Sequence, residues 1–209
     1  MDKRQKTDTI VIHCTQTPKD MDIDVDKVTQ WHKDRFQKAY LQNFGYLTSF
    51  DLLEGISIPV KFNQGKVKLR IRYNHKHRDF HFEHYQMKEI QSLRLVYTEE
   101  LNYSHKYSRR ENLESLFDQR GDCDEVLIIK KGRITDSSYS NVVFFDGQDW
   151  WTPKDPLLEG TCRARLLNQG IIKQSFLKVR DLKNFEGLKL INAMRDMDQP
   201  MIPINRLKY

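Results

Sequence analysis

Residue types with chemical potential come in a definite order along the second half of the chain. Lys106 is followed four residues later by Arg110. Asp136 lies within ITDSSYSN (Ile134–Asn141), and Gly160, Thr161 and Cys162 open the segment that runs to Gly170. A lysine amine can form an imine with a carbonyl group and later take a proton from carbon. A carboxylate set against a ring nitrogen keeps that nitrogen protonated, so the ring can accept electrons. Glycine followed by a hydroxyl residue at a helix N-terminus suits a phosphate, because the backbone N–H groups there are free and the dipole end is positive. The order thus offers an amine, an acid and an anion cradle.

Those groups need elements to hold them. Thr9–His13 reads as a short strand, and the segment from Asp24 to Asn43 as a helix with a rough stripe of Val25, Val28, Trp31, Phe36 and Tyr40, which Asp24 or Asp26 can cap and Gly45 can stop. Lys66–Tyr73 alternates strictly and predicts a half-buried strand. Phe80–Tyr85 and Leu93–Tyr97 read as further strands, and Thr98–Tyr103 as a polar connector and domain boundary. Beyond it a helix is expected over Arg109–Gln119. Apolar runs at Glu125–Ile129, Asn141–Phe145 and Trp150–Thr152 follow, separated by turns at Lys131–Gly132 and Asp146–Gly147, and read as an antiparallel meander. A helix opening at Gly160 closes at Gly170.

At 209 residues the chain holds one large domain or two small ones. Three scattered cysteines (Cys14, Cys123 and Cys162) without a CxxC pair argue against a disulfide framework and for a reducing cytoplasm. No apolar run approaches membrane-span length, so no membrane partner is expected. The net charge of +6 comes from 35 basic residues interleaved with 29 acidic ones, not from a basic block, so an anionic small ligand is favoured over nucleic acid. His75, His77, His81 and His84 cluster without an acidic or thiol partner to complete a set, and no metal site is expected.

The block from Lys106 to Arg163 resembles the class IV aminotransferases, the fold-type IV family of pyridoxal-phosphate enzymes, which includes branched-chain and D-amino-acid aminotransferases and 4-amino-4-deoxychorismate lyase. The resemblance rests on Lys106 and Arg110, Asp124–Leu127 (DEVL), Gly132–Asp136 (GRITD), Asn141, Thr152-Pro153 and Leu158–Arg163 (LEGTCR) in order. More weakly, Thr7–Ile12 looks like the family's first strand, Trp31–Arg35 like its H-x-x-R, and Leu190–Met194 like the turn that finishes its phosphate cup. Family members usually carry Glu where this chain has Asp136, and more sequence ahead of the first strand, so a compact member is expected.

The resemblance implies an α+β fold with a small N-terminal subdomain over residues 1–100 and a barrel-like, strand-rich subdomain over residues 101–209, with pyridoxal 5'-phosphate in the cleft between them. It implies Lys106 as the Schiff-base lysine and Cα base, and Asp136 at the pyridine nitrogen. Arg35, Asn141, Gly160, Thr161, Cys162, Asn192 and Ala193 are the other cofactor-binding residues implied. Arg70 and Arg72 occupy a strand where relatives bind substrate carboxylates, and equally read as solvent-facing arginines. The substrate implied is an amino-bearing carboxylate, handled by a homodimer. Lyase and aminotransferase chemistry share these motifs. Asn192-Ala193 looks more like the lyase branch, and a catalytically inactive cofactor binder is a further alternative.

Overall fold

The computed structural model describes residues 6–14, 25–74, 76–101 and 110–209, with side chains described from residue 30 onward. Two compact units divide between Met87 and Lys88. The expected helix caps Asp24 and Asp26 and the histidine His75 fall outside the residues or side chains described.

The first unit holds β1 (Lys6–Cys14), α1 (Val25–Phe44), β2 (Gly65–Tyr73) and β3 (Arg78–His84). The strands form one antiparallel sheet in the order β1-β2-β3, with Ile10 opposite Leu69 and Leu69 opposite Phe82. The alternation of β2 sorts its side chains as expected: Val67, Leu69, Ile71 and Tyr73 are buried, and Arg70 and Arg72 are exposed. The apolar face packs on Phe36 and Tyr40 of α1 together with Leu52. Phe36 meets Tyr73 edge to face at 4.7 Å, a favourable quadrupole geometry. Among the described side chains of α1 the buried ones are His32, Phe36 and Tyr40, four residues apart, while Trp31 is half-buried and Val25 and Val28 of the expected stripe lie outside those described. The spacing places one narrow stripe on the sheet. On the opposite face of the sheet Arg70 pairs with Glu83 at 3.6 Å and Arg72 with Asp79 at 2.9 Å.

The second unit contains β4 (Leu93–Thr98), α2 (Glu111–Phe117), β5 (Glu125–Lys130), β6 (Arg133–Ile134), β7 (Asn141–Phe145), β8 (Trp150–Pro153), α3 (Thr161–Asn168), β9 (Lys173–Ser175), β10 (Gly187–Ile191), β11 (Ile202–Pro203) and β12 (Leu207–Lys208). They form a four-stranded sheet, β12-β4-β5-β6, and a five-stranded one, β11-β10-β7-β8-β9. Leu93, Leu95, Leu127 and Ile129 from the first meet Val142, Phe144, Leu188 and Leu190 from the second in one apolar core. The chain is thus α+β with a curled, half-barrel arrangement of strands.

The expected antiparallel meander is corrected here. β5 pairs in parallel with β4, Leu95 opposite Leu127, and only its two-residue partner β6 is antiparallel. β7 and β8 pair antiparallel but belong to the other sheet. The physical reason lies in β5 itself. Residues Glu125 to Ile129 are all buried, so the strand has no solvent face and behaves as the inner strand of a covered parallel pair. The turn after it does form as expected. Lys131 and Gly132 both take positive φ, 49° and 73°, the twist-matched geometry of a tight hairpin. Phe144 is fully buried at the centre of this core, so Phe144→Ala is expected to cost about 3–5 kcal/mol in urea unfolding, while leaving the far-UV spectrum unchanged.

Candidate active site

Beyond β6 the chain continues laddering against β5. Thr135 N donates to Ile128 O at 3.0 Å and Ile128 N to Asp136 O at 2.8 Å. This delivers Asp136 into the interior at 4% exposure. The next four residues form a tight excursion closed by Ser137 N to Ser140 O at 2.8 Å, after which Asn141 bridges back to Asp136 and starts β7. The excursion brings two side chains five positions apart into direct contact.

Asn141 Nδ2 donates to Asp136 Oδ1 at 2.8 Å and also to Leu158 O at 2.8 Å. Leu158 N donates to Asp136 Oδ2 at 3.0 Å. Both carboxylate oxygens are therefore held by neutral donors, and the Leu157 N–H also bears on the carboxylate. Burial pushes the Asp136 carboxyl up to about 6, against the opposing pull of the Asn141 amide, the Leu158 N–H and the positive charge of Arg163. A carboxylate held there takes a proton more readily than one in water, and a cation brought against it would favour its charged form.

Leu158 leads directly into α3. Gly160 is its N-cap residue, with no side-chain cap, and the first turn carries no acidic residue. The N–H groups at the start of a helix have no intrahelical acceptor, and the dipole end there is positive. Thr161 and Cys162 are buried in this turn. Gly160 is required by close approach, because a Cβ there would overlap Asn141 Oδ1 far inside van der Waals contact. The Cys162 thiol is pushed up to about 12, first by burial and then by the negative charge of Asp196, so it stays protonated and packs.

Asn192 and Ala193 lie in the turn after β10. Asn192 Oδ1 accepts from Met194 N at 2.7 Å and Arg195 N at 3.0 Å, and its Nδ2 donates to Ser140 Oγ at 2.8 Å. The same turn is tied to α3 by the Arg165–Asp196 ion pair and by Cys162 Sγ to Arg195 O at 3.8 Å. Asp136, Asn141, Gly160, Thr161, Cys162, Asn192 and Ala193 are thus all in the second unit, joined by hydrogen bonds or by adjacency. Arg35 is half-buried on α1 in the first unit. Lys106 lies outside the described residues.

Two further side chains hold the excursion: Glu125, noted in the sequence only as part of DEVL, and Arg110, noted there for its spacing from Lys106. Glu125 is buried and accepts from Ser138 Oγ at 2.7 Å and from Val126 N at 2.8 Å, so it pins the excursion between Asp136 and Asn141. Arg110 donates to Ser138 O from the other side and lays its guanidinium on the Tyr139 ring, 3.9 Å from the centroid. An acid inside the apolar run EVLII was the available signal for Glu125.

Two outcomes follow from this geometry. Gly160→Ala must displace the Asn141 amide, so a loss of about 1–3 kcal/mol in urea unfolding is expected, and an unchanged midpoint would contradict the close approach. Asp136 titrates at about 6 in the fold and near 3.8 as a free side chain, so folding favours its protonated form. The stabilisation this supplies is complete below about pH 4 and is lost as pH rises through about 6. Relative to Asp136→Asn, which cannot titrate, the wild-type chain without ligand should therefore lose stability across that window, measured by unfolding at a series of pH values.

Comparison with known proteins bears on the same residues. A family model described as amino-transferase class IV matches residues 63–206. An uncharacterised protein of Haemophilus influenzae is 36% identical over 168 residues, 79% of this chain and 89% of the relative. A crystal structure of a provisionally assigned 4-amino-4-deoxychorismate lyase from Haemophilus somnus superposes with a TM-score of 0.82 at 33% identity, covering 94% of this chain and 100% of the other. A provisionally assigned amino-acid aminotransferase from Mesorhizobium loti shares the fold, with a TM-score of 0.73 at 20% identity and 98% of each chain covered. On the extent of the family match and of these identities, the chain belongs to the class IV aminotransferase family, whose members are pyridoxal-phosphate-dependent enzymes.

Proposed function

We propose that the chain is a pyridoxal-phosphate enzyme that acts on an amino-bearing carboxylate, with 4-amino-4-deoxychorismate lyase chemistry giving 4-aminobenzoate and pyruvate. The observation that carries the cofactor reading is the buried Asp136 carboxylate, oriented by Asn141 and Leu158 beside an α3 N-terminus free of acidic residues. These residues fit the group. The Asp136 carboxylate has acceptor sites beyond those taken by its neutral donors, as a pyridinium N–H requires, and the Gly160–Cys162 turn has the donors and polarity a phosphate requires. Likeness to the Haemophilus somnus protein, together with Asn192-Ala193, supports the lyase branch.

The bound cofactor supplies an electron sink that lets a proton leave the substrate Cα. The chain supplies the rest. Lys106 would hold the cofactor through Nζ and would serve as the base for the Cα proton. Asp136 holds the proton on the ring nitrogen, and Asn141 keeps its carboxylate aimed. Asp is one methylene shorter than the family's usual Glu. The N–H groups of Thr161 and Cys162 would cradle the phosphate. Arg35 contributes charge to the phosphate, and the Asn192-Ala193 turn closes that side. Family resemblance further implies a cytoplasmic homodimer.

Borohydride reduction of the purified enzyme should leave the cofactor's mass on the peptide containing Lys106, and Lys106→Ala should abolish that label and lower turnover by at least about a thousandfold. A label on another lysine would remove the basis of the reading. With the label in place, release of pyruvate from aminodeoxychorismate supports the lyase. Amino transfer from a D- or L-amino acid to 2-oxoglutarate without it would make the chain an aminotransferase, and neither activity would make it an inactive cofactor binder.

A further inference from the structure

Arg163 is buried at 6% exposure in the first turn of α3, and none of the roles above uses it. Its guanidinium donates to Pro153 O at 2.8 Å, to Thr152 Oγ1 at 3.3 Å and to Gln174 Oε1 at 3.3 Å, all neutral acceptors. A buried guanidinium without an opposing charge is costly. Asp136 is in the complementary position, a buried carboxylate held by neutral donors alone.

The two are fastened into one frame. From Asn141, which grips Asp136, the chain passes to Val142, whose carbonyl accepts from Thr152 Oγ1 at 2.9 Å, and that hydroxyl accepts from Arg163 Nε. On the other side, Leu158 N binds Asp136, Gly160 backs onto Asn141, and the same stretch of chain reaches Arg163 within the next turn. Other charged groups around Asp136 are engaged elsewhere or outward. Glu125 on β5 is taken up by Val126 and Ser138, Arg110 lies on Tyr139, and Glu159 is exposed.

We propose that Arg163 is a positioning residue for Asp136: the buried counter-charge, fixed by Thr152, Pro153 and Gln174, that keeps the carboxylate anionic and ready for a cationic ring nitrogen. Burial lowers the Arg163 guanidinium and raises the Asp136 carboxyl, and each charge opposes the other's shift, with the exposed Glu159 a lesser negative charge on Arg163. The catalytic meaning rests on the reading of Asp136 as the ring-nitrogen partner, whereas the pairing itself is a property of the chain without cofactor.

The test therefore uses the full chain free of cofactor, isotopically labelled, with the Asp136 carboxyl carbon and Arg163 Nε followed by NMR as pH is varied. Arg163 Nε should shift with the same midpoint as Asp136 in the wild type and lose that transition in Asp136→Asn. Arg163→Gln, which keeps hydrogen-bonding capacity but not charge, should raise the Asp136 midpoint by about one pH unit or more, and Arg163→Lys should restore it. An Arg163 signal indifferent to Asp136 overturns the proposal, even if neither Arg163 variant folds. Equal midpoints in Gln and Lys variants that do fold overturn it as well. Absence of a borohydride label on Lys106 would instead remove the functional reading and leave this pairing standing.

Discussion

The contact between Asn141 and Asp136 is the constraint from which the second unit's site is built. It joins the two ends of a four-residue excursion, and the same Asn141 amide reaches across to Leu158 O, which sets where α3 begins. Gly160 can follow only because it lacks a side chain. The acid, the helix N-terminus and the start of β7 therefore share one geometry, and moving any of them moves the others. Family membership gives this geometry a chemical context, since the cofactor of these enzymes presents a ring nitrogen and a phosphate at separate points of one rigid molecule.

That arrangement opposes local electrostatics. Water would hold Asp136 as an ordinary carboxylate, and burial raises its affinity for a proton. The excursion exposes its backbone to the same problem, and Glu125, Arg110 and Asn192 meet it by binding Ser138, Ser138 O and Ser140 from three directions. The three serines of the loop are thereby kept buried and tied down, while Tyr139 is exposed. Rigidity matters more here than strength, because an acid that must face one ring atom is useless when free to rotate.

Much of this was legible in the sequence, for local reasons. The alternation of β2, the apolar run of β7 and the glycine ending α3 depend on neighbouring residues alone, and the expected bounds fall within a residue or two of the observed ones. The candidate residues Asp136, Asn141 and Gly160 were legible because their spacing matched a known pattern. What was not legible is long-range. The parallel pairing of β4 with β5 spans some thirty residues, and EVLII reads the same whichever strand it joins. The engagement of Glu125 and Arg163 with partners ten or more positions away has no periodic signature, and both entered the sequence reading only as positions of the DEVL and LEGTCR motifs, without a role.

The central claim is that Asp136 holds a proton on the cofactor's ring nitrogen. The most direct measurement is the nitrogen NMR shift of pyridoxal phosphate labelled at that nitrogen and bound to the enzyme. The account predicts a protonated nitrogen in the wild type well above the pH at which free cofactor loses that proton, and an unprotonated one in Asp136→Asn. An unprotonated nitrogen in the wild type, or a protonated one that survives Asp136→Asn, would contradict it.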